Sequence, residues 1–414
     1  MPPRLPENPR LDTLQPYPFE RLRGLLATKA SSANHSERPL IDLSIGEPRH
    51  PTPPVVLNAL QQPAALAGLA SYPATAGQPA LREAIARWIE QRHHTTLDPT
   101  TQVLPVNGSR EALFAFAQAM LDPAPAGEQY VIAPNPFYQI YEGAALLAGA
   151  RLWLLDQRPD NDFRMDWGSV PETVLERTRL VYVCSPGNPT GQVMNLDEWE
   201  HLLALSKRYG FIIASDECYS EIYHNESTPP LGALAASYLL RPQDDFPRLV
   251  VFSSLSKRSN VPGMRSGFVA GNANLIARFL RYRTYHGCAM SPMFQQASIA
   301  AWNDETHVKD NRRLYREKFA AVLRILQPLV PSLHIPAGGF YFWLPVPAGD
   351  DEAFAARLFH EAQVKVLPGS YLGRPSSHSP DDPHSNPGRG FVRIALVPPL
   401  DACEEGARRI AAYL

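Results

Sequence analysis

Ser253-Ser254-Leu255-Ser256-Lys257, followed by Pro262-Gly263-Met264-Arg265-Ser266-Gly267, lies between two short apolar runs, Leu249-Val250-Val251-Phe252 and Gly267-Phe268-Val269-Ala270-Gly271. Both runs have the length and apolar content of buried strands, so the polar stretch sits at the mouth of a sheet. A lysine there, with hydroxyls before it and an arginine after it, suits a Schiff base to a phosphorylated aldehyde. The amine condenses with the carbonyl, while Ser254, Ser256 and Arg265 supply donors for phosphate oxygens. Taken alone, the pattern competes with an ordinary solvated lysine. The rest of such a site, upstream and in order, decides between them.

From about residue 80 to 290, helical patterns alternate with short strand-like runs. Seven strands are predicted, at Val103–Val106, Tyr130–Ala133, Arg151–Leu155, Leu180–Cys184, Phe211–Ser215, Leu249–Phe252 and Phe268–Gly271. Helical candidates such as Ser109–Leu121 and Leu196–Tyr209 lie between them. This alternation predicts an α/β domain on a mostly parallel sheet, and ligands of such sheets bind beyond the carboxyl ends of the strands. After about residue 291 the rhythm changes. One long helix from Gln295 to Leu329 is expected, then strands at Gly339–Leu344, Lys365–Leu367 and Phe391–Leu396, and a closing helix from Asp401 to Leu414. The expected division is an N-terminal arm and part of a small domain over residues 1–50, a large domain over 51–290, and a smaller α+β domain over 291–414.

The chain has 414 residues, 44% hydrophobic and 19% charged, with a formal net charge of −2. That size allows a substantial core, and the charge gives no electrostatic reason to expect nucleic acid or an anionic membrane as partner. No stretch approaches the roughly 20 apolar residues of a membrane helix, and Met1-Pro2-Pro3-Arg4-Leu5-Pro6 lacks the apolar centre of a signal peptide. The four cysteines, Cys184, Cys218, Cys288 and Cys403, are widely spaced, so neither a disulfide framework nor a metal site is expected. A cytoplasmic location fits best. Six prolines within residues 1–20 predict an extended arm, and the polar stretch 374–390 predicts a mobile loop.

Four further motifs follow strand candidates. Asn107-Gly108-Ser109-Arg110 opens a helix, where free N–H groups form an anion site and double as an ordinary N-cap. Pro136-Phe137-Tyr138 offers Tyr138 as a flat apolar partner for a ring, although core packing explains an aromatic equally well. Ser185-Pro186-Gly187-Asn188-Pro189-Thr190-Gly191 fixes an irregular loop and leaves the Asn188 amide free to donate to a phenolic oxygen. Ser215-Asp216-Glu217-Cys218-Tyr219 ends a buried strand with a carboxylate that needs a partner. A protonated pyridine nitrogen is one such partner, and a turn-capping aspartate is the plain alternative.

In this order, the motifs resemble those of the fold-type I pyridoxal-phosphate enzymes of the class I/II aminotransferase family, over nearly the whole chain. The resemblance implies Lys257 as the Schiff-base lysine and proton shuttle, Asp216 against the pyridinium nitrogen, Tyr219 and Asn188 at the phenolic oxygen, and Tyr138 stacked on the ring. It places Gly108, Ser109, Arg110 (mainly through its backbone N–H), Ser254 and Arg265 at the phosphate. Arg393 would clamp the substrate α-carboxylate, with Gly46 and Asn188 beside it. Tyr72 would reach the phosphate of a neighbouring subunit, which implies a homodimer. The implied cofactor is pyridoxal 5'-phosphate, and the implied substrates are amino acids and 2-oxo acids.

Three local stretches are similar to bacterial N-succinyldiaminopimelate aminotransferases of lysine biosynthesis: Asn8-Pro9-Arg10-Leu11-Asp12 through Leu22, His286-Gly287-Cys288-Ala289-Met290-Ser291-Pro292, and Asn386-Pro387-Gly388-Arg389-Gly390. On that likeness, the 374–390 loop with Arg374 and Arg389 would cover a long substrate. Aromatic, alanine or kynurenine substrates, a pyridoxal-phosphate lyase, and a non-catalytic effector-binding module are the alternatives.

Overall fold

The computed structural model describes residues 8–27, 38–122 and 128–414. Among them are twelve strands: β1 (Ile41–Asp42), β2 (Val103–Val106), β3 (Tyr130–Asn135), β4 (Arg151–Asp156), β5 (Thr178–Cys184), β6 (Ile212–Asp216), β7 (Leu249–Ser254), β8 (Gly267–Gly271), β9 (Tyr341–Pro345), β10 (Val364–Lys365), β11 (Leu367–Pro368) and β12 (Phe391–Ala395). The large sheet runs β2-β8-β7-β6-β5-β3-β4. Its seven strands are those expected from the sequence, and β8 alone is reversed, lying antiparallel to both β2 and β7.

The strands carry apolar runs rather than alternation because helices cover both faces. Every residue of β7 is buried. On one face pack the Ser109–Met120, Ile140–Leu147 and Ala273–His286 helices, with Phe116 edge-on to Phe252 and Phe279. On the other pack Pro79–His93, Leu196–Tyr209, Ala233–Leu240 and Pro292–Trp302, through Trp88, Trp199 and Trp302. A second core joins β11-β12-β9 to the Thr306–Leu326, Asp351–Ala362 and Leu400–Ala411 helices through Phe319, Phe342, Leu358, Ile394 and Ile410. Ile41 and Leu43 enter this smaller core, because β1 pairs with β10.

Four expectations change. The single helix from Gln295 to Leu329 is two helices, Pro292–Trp302 and Thr306–Leu326. They part where Asp304 accepts the His307 N–H at 3.1 Å. Ala297, Ala301 and Trp302 belong to the large core, which therefore continues past residue 290. In the arm, residues 1–7 lie outside the described residues, but Leu11–Thr13 form a 3₁₀ turn and Pro18 opens a helix to Ala27. A proline at the first position of a helix gives up only an N–H that the helix does not use.

The 374–390 stretch is docked rather than free. The main chain of Arg374 brackets the Asn135 amide at 3.0 and 2.9 Å, and its guanidinium grips Glu142 at 2.8 and 2.6 Å. Ser377 Oγ takes the Leu154 N–H at 2.8 Å, which covers part of the free edge of β4. Composition registers the polar residues here but not these distant partners. Arg374→Ala leaves Glu142, whose side chain is 11% exposed, without its cation. It is expected to destabilise the chain by about 3 kcal/mol, read as a lower urea midpoint; an unchanged midpoint contradicts the docking.

Candidate active site

One row of the sheet sets the geometry. Gly267 of β8 pairs with Val106 on one side and Ser254 on the other. Gly108, Ser256 and Arg265 each lie two residues beyond that row, so all three emerge at the same edge. Along the same edge β5 and β6 end in the paired residues Cys184 and Asp216. A cavity of about 590 Å³ opens there, and its walls include Gly46, Ser109, Arg110, Tyr138, Asn188, Asp216, Tyr219, Ser256, Lys257, Arg265 and Arg393. All eleven are site residues expected from the sequence. Gly108 and Ser254 lie directly behind the wall, and Tyr72 is fully exposed on the surface outside it.

Asp216 is buried, with Oδ2 accepting from Tyr141 Oη at 2.7 Å and Oδ1 from the Cys218 N–H at 3.2 Å. Glu217 leaves the strand on the other side. It accepts from the Ala233 N–H at 2.8 Å and Ser215 Oγ at 2.9 Å, and burial raises its carboxyl to about 7. Adjacent acids thus have different tasks, Asp216 at the cavity and Glu217 in the core.

The anion-binding corner is built from backbone. Gly108 has φ +85°, and a Cβ there would run into the Arg265 guanidinium; only glycine satisfies both demands. The twelve-residue Ser109–Met120 helix points its free N–H groups at this corner. Ser109 Oγ accepts from the Cys218 thiol at 2.9 Å, and burial pushes that thiol well above its ordinary pKa.

The opposite wall comes from the smaller core. Arg393, on β12, donates to the Ser44 carbonyl at 2.8 Å and to Asn188 Oδ1 at 3.0 Å, and lies 4.3 Å over the Tyr341 ring. Its buried Nε has no partner among the described residues. The bond to Arg393 orients the Asn188 amide, so its two N–H donors remain for a ligand. Tyr341 Oη lies 2.8 Å from Tyr219 Oη, and a Cβ on Gly46 would fall on that same hydroxyl. Lys257 Nζ stands 5.5 Å from the Tyr219 ring centre.

At the mouth, Arg110 donates from its side chain to Tyr138 Oη, and to Tyr17 Oη at 3.2 Å. Its guanidinium therefore spans the entrance, which leaves the backbone N–H expected at the phosphate uninvolved in these bonds. Burial raises the Tyr138 phenol above its ordinary pKa. Tyr17 and Tyr341 are site residues that the sequence reading did not single out, and Tyr141 and Cys218 stand in or beside its motifs without a role at the site. Only Tyr141 left a signal, one helical turn after Tyr138.

Residues 38–410 match the model of the family "Aminotransferase class I and II". The chain belongs to that family. It is a pyridoxal-phosphate-dependent aminotransferase of the fold-type I architecture. A curated relative, LL-diaminopimelate aminotransferase of Aquifex aeolicus, is 30% identical over 403 residues, 97% of each chain. An aminotransferase structure from Neisseria meningitidis is 49% identical, with a TM-score of 0.91 over 99% of this chain and 100% of that one. A probable N-succinyldiaminopimelate aminotransferase from Thermus thermophilus is 28% identical, with a TM-score of 0.80 over 96% and 100%. The side chains present fit the cofactor of this family. A primary amine, a buried carboxylate, a glycine cradle beside an arginine and an amide with free donors all face one cavity.

Glu217 gives the fold a pH dependence. The folded chain keeps its proton up to about pH 7, against an ordinary value of 4.5, so its contribution to stability is lost as pH rises through that window. Relative to Glu217→Gln, the natural chain is expected to lose on the order of 3 kcal/mol between about pH 5 and about pH 8, measured as urea midpoints. A constant difference across that range contradicts the assignment.

Proposed function

We propose that this aminotransferase moves the amino group of N-succinyl-LL-diaminopimelate to 2-oxoglutarate, with glutamate as the donor in the reverse sense. Pyridoxal phosphate, when bound, supplies the carbonyl that takes the amino group and the ring that draws electrons from the substrate α-carbon. Lys257 would hold the cofactor through its amine. With a substrate bound, Lys257 Nζ would be the base that takes the substrate α-proton and gives it back. Asp216 would keep the cofactor's ring nitrogen protonated. Tyr219 and Asn188 would donate to its phenolic oxygen, and Tyr138 would offer its ring as the stacking partner. Gly108, Ser109, Arg110, Ser254 and Arg265 receive the phosphate, the first three through backbone N–H groups or hydroxyl. Arg393 takes the substrate α-carboxylate in a two-pronged grip, with Gly46 leaving room beside it.

The observation that carries this reading is the convergence of Lys257, Asp216 and Arg393 on one cavity. Exposed Tyr72 is proposed to complete the phosphate site of a second copy, making the working unit a homodimer. Cytoplasmic location is part of the same proposal. Among the described residues no helix is long and apolar enough to cross a membrane.

The substrate follows from the guanidinium left over. With Lys257, Arg265 and Arg393 assigned, the Arg110 side chain is the remaining cation of the wall, and it suits a distal carboxylate. Both the succinyl group and 2-oxoglutarate offer one. A specific observation favours a second reading: Glu47 also lines the cavity and would attract the free distal ammonium of unsuccinylated LL-diaminopimelate, the substrate named for the Aquifex aeolicus relative.

Purified protein loaded with cofactor is mixed with single amino acids, and conversion of the cofactor is followed by absorbance. Fast conversion by N-succinyl-LL-diaminopimelate and glutamate, with slow conversion by LL-diaminopimelate and by aromatic amino acids, alanine and kynurenine, is expected. Faster conversion by LL-diaminopimelate moves the assignment to the second reading, and preference for the others overturns both.

A further inference from the structure

Lys257 sits near the end of a single helical turn, Leu255–Arg258. The turn is closed by the Ser259 N–H to Leu255 carbonyl bond at 2.9 Å. The Lys257 and Arg258 carbonyls that follow accept from no main-chain N–H among the described residues. Carbonyls at a helix end need an outside donor, and here it is one side chain. Asn311 Nδ2, from the Thr306–Leu326 helix, lies 3.2 Å from the Lys257 carbonyl and 3.5 Å from that of Arg258.

The amide is held in that orientation by a chain of bonds whose direction is fixed throughout. Lys318, buried two turns further along the same helix, donates from Nζ to His50 Nε2 at 2.7 Å and to the Val397 carbonyl at 3.3 Å. Burial lowers the Lys318 pKa to about 8, so at neutral pH it is an ammonium that can only donate; His50 Nε2 accepts and the ring carries its proton on Nδ1. Burial lowers the His50 pKa, which keeps the ring neutral. His50 Nδ1 is 2.7 Å from Asn311 Oδ1, so it donates there. Asn260 Nδ2 reaches the same oxygen at 3.1 Å. With Oδ1 taken by two donors, Nδ2 faces the Lys257 turn.

We propose that Lys318, His50 and Asn311 form a positioning relay that caps the turn carrying Lys257 and sets the direction from which its amine enters the cavity. The inference rests on the reading that Lys257 holds the cofactor. It adds three residues that lie outside the cavity wall, and it gives a task to the buried Lys318, which pairs with no acid among the described residues. The relay also ties two walls together, since Gly46, Glu47 and Pro48 line the cavity just before His50.

The test uses the full chain freed of cofactor. Pyridoxal phosphate is added and its covalent attachment to the protein is followed by absorbance. Binding of pyridoxamine phosphate, which forms no bond to lysine, is measured separately. Asn311→Leu and His50→Leu are expected to slow attachment on the order of tenfold, as a misplaced reacting group does, while pyridoxamine phosphate binds as in the natural chain. His50→Gln, which still offers one acceptor and one donor, is expected to restore the natural rate. Attachment at the natural rate in both leucine variants overturns the relay. So does a parallel loss of pyridoxamine phosphate binding, or a glutamine variant as slow as the leucine one. Failure of the natural chain itself to attach pyridoxal phosphate refutes instead the reading of Lys257 on which the relay depends.

Discussion

A carboxylate buried at the end of a central strand costs several kcal/mol unless something compensates it, and Asp216 is in that position. Its two hydrogen bonds, from the Tyr141 hydroxyl and the Cys218 N–H, are worth about 1.5–3 kcal/mol each as bonds to a charged group. They offset much of the cost without supplying a positive charge. Asp216 also lines the cavity, so the site is built beside a buried carboxylate, which in the proposed function would face the protonated ring nitrogen. The large sheet keeps this charge fixed. β6 lies between β5 and β7, and helices seal both faces.

The rest of the cavity is arranged about that fixed point from two directions. The large sheet delivers Gly108, Ser256 and Arg265 from one hydrogen-bonded row, which is why the reversed strand β8 matters: it brings the chain back beside β7 so that Arg265 returns to the glycine cradle. The smaller core delivers Arg393 and Tyr341 on neighbouring strands β12 and β9. Arg393 reaches across to Asn188 and Tyr341 to Tyr219. A displacement of the smaller core therefore moves Arg393 and the partner of the Tyr219 hydroxyl together.

Much of this was legible in the residue order, and the reason is local. A buried parallel strand is a short apolar run, and the polar motif after it is the loop at the carboxyl edge. Gly108, Asp216, Asn188 and Lys257 therefore advertise themselves by position. What stayed hidden depends on partners far along the chain. The 374–390 stretch reads as a free loop until Asn135, Glu142 and Leu154 are seen holding it. The break between the Pro292–Trp302 and Thr306–Leu326 helices is invisible to periodicity, because both flanks are helical and the cause is one aspartate side chain. Tyr341 and Asn311 look like ordinary core residues in sequence. Their value lies in the single polar atom each directs at Tyr219 or Lys257.

The most direct test of the whole account is chemical. The cofactor-loaded protein is reduced with borohydride, digested, and the peptide bearing the reduced cofactor is identified by mass spectrometry. The account predicts a single modified residue, the lysine of Ser253-Ser254-Leu255-Ser256-Lys257. Modification at any other lysine, or none at all in protein that binds the cofactor, would contradict it.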